Sequence, residues 1–108
     1  MIVEKQGFSV KGGKTERAVE VATEELLKGR FVLYITHELV PEEICKRIEK
    51  VSEDVTLLNL LICTVNPEQV RDVLELQEKD TVVIIDVGVD ISEEIRDFEN
   101  DIYIYYQV

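Results

Sequence analysis

The residues best suited to chemistry lie in one short stretch, Gly7-Phe8-Ser9-Val10-Lys11-Gly12-Gly13-Lys14-Thr15. It follows a brief apolar run and opens directly onto a helical pattern. Glycines let a backbone curl until its N–H groups converge on an anion, and a helix N-terminus behind them adds partial positive charge. In such a loop Lys14 would reach the outer phosphates of a ligand, and the Thr15 hydroxyl would be a Mg²⁺ ligand. Gly12 and Gly13 supply the backbone cradle. The usual spacing of such loops, Gly-x-x-x-x-Gly-Lys-Ser/Thr, puts a first glycine where this chain has Phe8. Gly7 stands one residue too early, so the loop is expected to be one residue longer or misshapen.

The loop needs a strand before it and a helix after it, and the chain supplies both. Met1 to Glu4 reads as a first strand that turns charged after three residues. Thr15 to Lys28 reads as a helix, with Ala18, Val19, Ala22, Leu26 and Leu27 on its buried face and Gly29 as a stop signal. FVLYIT (Phe31 to Thr36) is a continuous apolar strand, as in sheets covered on both faces. Pro41 opens a second helix with Ile44, Ile48 and Val51 inward, and Glu42 and Glu43 suit its dipole. Thr56 to Cys63 reads as a third strand, and Asn66-Pro67 caps a helix carrying Val70, Val73 and Leu74. TVVIID (Thr81 to Asp86) is a fourth strand, Ser92 caps a short helix with Ile95 and Phe98, and Ile102 to Tyr106 is the last strand.

Strict alternation of strands and helices predicts a single α/β domain over residues 1–108, a parallel sheet sandwiched between helices. Ligands of such sheets sit beyond the carboxyl ends of the strands. The residues there are the glycine loop, His37-Glu38, Thr64 to Asn66, Asp86 and Gln107.

A length of 108 residues suffices for one core, and 45% apolar with 32% charged residues describes a globular chain. No apolar run reaches the roughly 18 residues that span a bilayer, and the N-terminus lacks the apolar region of a signal peptide. A cytoplasmic location without membrane contact is expected. The net charge of −11 is uneven: residues 1–17 carry four basic and two acidic side chains, the remainder eight and 21. Most of this surface repels a polyanion, so direct nucleic-acid contact is not expected, and the one basic zone suits a small phosphate ligand. Scarce Asn and Gln beside abundant Glu, Val, Ile and Lys is a thermophile-like bias. Cys45, Cys63 and the single His37 do not make a metal site, and two buried thiols are the default reading.

Taken in order, these pieces resemble the RecA-like P-loop ATPases, above all the branch with the DnaB-type replicative helicases and the KaiC-like proteins. GGKT with its helix and GRFVLYITHELVPEEICKRI look like that branch's phosphate loop and its strand ending in an acidic residue. LLICTVNPEQVRDVLEL and TVVIID look like its next strand and helix and its Mg²⁺-associated aspartate, and IYIYYQV like its sensor strand. The resemblance covers nearly the whole chain. It implies a three-layer sandwich around five parallel strands in the order 3-2-4-5-1. It also implies ATP and Mg²⁺ as ligands: Gly12, Gly13, Lys14 and Thr15 on phosphate, Thr15 and Asp86 on Mg²⁺, Glu38 polarising the attacking water and Gln107 sensing the γ-phosphate. The chemistry would be phosphoryl transfer by positioning and electrostatics.

The strands that such enzymes carry beyond the first are missing, so the first strand should be a sheet edge. Glu4, Lys5 and Gln6 then either guard that edge or it pairs with a protein partner or a second copy. The expectation is a minimal ATP-binding domain with weak or partner-dependent ATPase activity. The alternative is a protein-interaction module that keeps the fold without turnover. A response-regulator receiver does not fit, because acids should follow the first strand and a lysine the last, where this chain has Gln6-Gly7 and Gln107.

Overall fold

Two apolar runs, Val32–Thr36 and Val82–Asp86, form neighbouring parallel strands in which every residue is buried. The chain is seen in a computed structural model that describes residues 1–37, 39–53, 55–64 and 70–108. Its elements are β1 (Ile2–Phe8), α1 (Lys14–Leu27), β2 (Val32–Thr36), α2 (Pro41–Val51), a 3-10 segment (Val55–Leu60), β3 (Leu61–Thr64), α3 (Val70–Glu75), β4 (Val82–Asp86), α4 (Ser92–Ile95) and β5 (Ile102–Gln107). The five strands make one wholly parallel sheet in the order β1-β5-β4-β2-β3. Counted from the β3 edge, that order is 3-2-4-5-1.

The two-residue period of the strands divides the core into two layers. Val32, Tyr34, Val82, Ile84 and Tyr105 pack with Ala18, Ala22 and Leu26 of α1 and Ile44 and Ile48 of α2. Leu33, Ile35, Val83, Ile85, Ile102 and Ile104 pack with Val70 and Leu74 of α3 and Ile95 of α4. Each wholly buried isoleucine contributes about 1.5–3 kcal/mol, which is why β2 and β4 lie at the centre. The last turns of the two long helices depart from the sequence pattern. Leu27 and Val51, expected inside, are each 58% exposed.

Three boundaries differ from the reading of the sequence. β1 runs on to Phe8, because it pairs with β5 along one edge only and an edge strand tolerates charge. Glu4 accepts two hydrogen bonds from Arg17 of α1, at 3.3 and 3.0 Å, and Lys5 bridges to Asp90 at 3.1 Å. The apolar stretch read as one strand from Thr56 splits instead. Pairing with β2 starts at Val32↔Leu61, and the 3-10 segment before it turns Leu57 into the core. At α4 Ser92 is the first helical residue rather than the cap: Ile91 holds the cap position without a side-chain hydrogen bond, and the Ser92 N–H donates to Asp90 Oδ1 at 2.9 Å. The cap expected at Asn66-Pro67 lies outside the described residues.

At the amino end of the sheet a second polar cluster holds the elements together. Glu25, only 3% exposed, receives Lys28 at 3.1 Å, Arg30 at 2.9 Å and the Tyr103 hydroxyl at 3.3 Å, and Arg30 also reaches Asp101 at 3.2 Å. Among the described residues no helix is long and apolar enough to cross a membrane.

Candidate functional site

Between the end of β1 and the start of α1 the chain makes a five-residue loop, Ser9 to Gly13. It turns tightly, with the Gly12 N–H donating to the Ser9 carbonyl at 2.9 Å. Positive φ angles fall at Lys11 (60°) and Gly13 (89°), not at Phe8, which stays in the strand. The missing first glycine therefore imposes no strain at Phe8. Its ring packs edge-to-face on Tyr105, 6.0 Å between centroids. The loop borders a cleft of about 450 Å³ whose wall includes Lys11, Gly12, Gly13, Lys14 and Thr15. Phe8 and Leu39 add apolar surface, and Gln107 from the end of β5 and Arg47 from α2 complete the wall.

Behind the loop stands Asp86, the last residue of β4 and 1% exposed. Its two oxygens are treated differently. Oδ2 accepts the Thr15 hydroxyl at 3.0 Å and the Tyr34 hydroxyl at 2.8 Å. Oδ1 is buried and accepts no hydrogen bond; Lys14 Nζ stands 3.4 Å from it as a counter-charge. The same ammonium donates to the Val87 carbonyl at 3.2 Å. A carboxylate this buried is costly unless compensated; of its three compensating groups, Lys14 and Thr15 open the helix that follows the glycine loop and Tyr34 comes from β2.

Of the residues singled out in the sequence, Gly12, Gly13, Lys14, Thr15 and Gln107 share the cleft wall, and Asp86 contacts Lys14 and Thr15 from behind. Glu38 and Asn66 lie outside the described residues. His37 is exposed at the end of β2, where a methyl group placed on Gly88 would stand 3.4 Å from its Cε1. Cys45 and Cys63 are free and half-buried rather than fully buried. Burial, with a smaller push from Cys45, drives the Cys63 thiol up to about 12.

Two residues escaped the sequence reading. Tyr34 lies wholly buried inside FVLYIT, where a hydroxyl must find a partner. Strand parity carried a usable signal: Thr36 pairs with Asp86, so Tyr34 shares that face and sits one diagonal away. Burial and the neighbouring Asp86 charge push its phenol well above the ordinary range, so it remains a donor. Arg47 sits three residues after Ile44, beside the inward face of α2, and its Nε is buried with no hydrogen-bond partner. With Lys11 and Lys14 it gives the cleft wall three cations against Glu16, in a chain of net charge −11.

Among the described residues no group of three or more His, Cys, Asp or Glu side chains could hold a metal by itself. A hard cation that keeps waters and takes phosphate oxygens needs fewer protein ligands. The orphaned Asp86 Oδ1 beside the Thr15 hydroxyl fits that requirement. Comparisons with protein-family models, with curated proteins and with solved structures find no match to this chain.

Proposed function

We propose that the chain is a minimal RecA-like nucleotide-binding domain that takes the phosphates of ATP over the loop from Ser9 to Thr15. One observation carries this reading: a buried aspartate at a strand end, bonded to Thr15 at 3.0 Å and 3.4 Å from Lys14, directly behind a glycine loop. A parallel sheet with that loop on an edge strand next to β5 supports it further.

In this reading Lys14 leaves the Val87 carbonyl and the Asp86 carboxylate for the ligand's phosphates. Arg47 and Lys11 add positive charge from the α2 side and the loop. Gly12 and Gly13 let backbone N–H groups approach the anion. Thr15 and Asp86 would hold Mg²⁺, which supplies charge neutralisation at the phosphate oxygens. Gln107 stands at the cleft as the γ-phosphate sensor, and Glu38 has the part of orienting the attacking water. Turnover is weak or dependent on a protein partner.

A thermal-shift titration with Mg-ATP tests the reading. A Kd near about 10 μM stabilises the folded chain by about 2.7 kcal/mol at 1 mM ligand. The shift should disappear in Lys14→Ala, while the fold survives. No shift in the wild-type chain would discard nucleotide binding and leave a protein-interaction module as the better description.

A further inference from the structure

We propose that Tyr34 is a positioning residue for the divalent cation that accompanies the bound phosphate, acting through the Asp86 carboxylate. The proposal rests on the nucleotide-binding reading of the cleft. A carboxylate turns easily about its last bond, and its two oxygens are otherwise equivalent. Here they are not. Tyr34 at 2.8 Å and Thr15 at 3.0 Å both donate to Oδ2, while buried Oδ1 accepts nothing and lies 3.4 Å from Lys14 Nζ.

Thr15 cannot fix this orientation alone, because in that reading its hydroxyl is itself a cation ligand, and it stands in the first turn of α1 directly after the loop that takes the phosphates. Tyr34 is anchored differently. It is wholly buried on a central strand, between β3 and β4, within the layer packed by α1 and α2. Its hydroxyl pins Oδ2 and leaves Oδ1 as the oxygen presented on the Lys14 side. Once an anion draws Lys14 away, Oδ1 has lost its counter-charge in a buried place, and a cation must replace it. Phosphate and divalent cation therefore bind each other's state of the site, and Tyr34 sets how strongly.

The test measures ATP affinity by calorimetry, in excess Mg²⁺ and in EDTA, for the wild-type chain and Tyr34→Phe. The ratio of the two affinities should fall about tenfold or more in the variant, as for other groups that orient a metal ligand. The affinity in EDTA should stay unchanged, which a general loss of structure would not permit. An unchanged ratio overturns the proposal. Wild-type binding that ignores Mg²⁺ also overturns it, while leaving the nucleotide reading intact. No wild-type binding under either condition removes both. Should Tyr34→Phe fail to fold, Mn²⁺ with ATP on the wild-type chain decides: the Tyr34 ring resonances should broaden, and their persistence would refute the proposal.

Discussion

Gly12 and Gly13 are both glycines for the loop's sake, but for separate reasons. A Cβ at Gly12 would stand 2.9 Å from the Ser9 carbonyl oxygen and 2.9 Å from its hydroxyl, so the obstacle is space. At Gly13, which caps α1, the obstacle is the backbone, held at φ 89° with nothing nearer than 3.9 Å to an added Cβ. Gly13→Ala should therefore cost about 1–2 kcal/mol in urea unfolding, with the cleft's dimensions kept. At this scale Lys14, Thr15, Asp86 and Gln107 were legible, because loop composition and strand ends place them without knowledge of packing. Arg47 was not: α2 carries several cations, and only the packing against α1 shows that its Nε is the one enclosed. Tyr34 was hidden by its setting, since an aromatic residue in an apolar strand reads as core.

Elements were legible in kind and order, and less so at their ends. Continuous apolar runs specify burial but not period, so Thr56 to Cys63 gave no sign that its first half curls and only Leu61–Thr64 pairs. Charge at Glu4 and Lys5 suggested an early end for β1, but neighbouring elements meet both side chains. That tether has a pH signature at the turn before α4. Partial burial works against the Asp90 charge, yet hydrogen bonds from Ser92 and Lys5 hold its carboxyl below the usual range. A carboxyl lowered in the folded state adds stability at neutral pH, and the gain is lost as pH falls through its folded value. Asp90→Asn should thus be less stable than wild type at pH 7 in urea unfolding, with the difference shrinking on acidification. A difference that grows with acid would refute the assignment.

For the whole molecule, the alternation of strands and helices announced a parallel sandwich, and β1 does lie at a sheet edge. The guarding charges at Glu4 and Lys5 were read from the sequence, but the irregularity in that edge's pairing was not legible. The pairing register of β1 with β5 shifts between Ile2 and Glu4, an irregularity that disfavours an added strand. With Glu4 and Lys5 bound within their own chain, self-association through β1 loses its polar contacts too. Light scattering should accordingly give the mass of one chain, 12.4 kDa. A doubled mass that a Val3→Pro substitution reverses would show that the edge does pair.

The Glu25 cluster gives the molecule a polarity of compliance. Glu25 receives Lys28, Arg30 and Tyr103 and so moors the tail of α1 to the sheet, whereas the head of that helix begins at a left-handed glycine. If Lys14 and Thr15 turn from Asp86 to a ligand, α1 keeps Arg17 on Glu4 and the Glu25 mooring, so its far end is the part expected to stay in place.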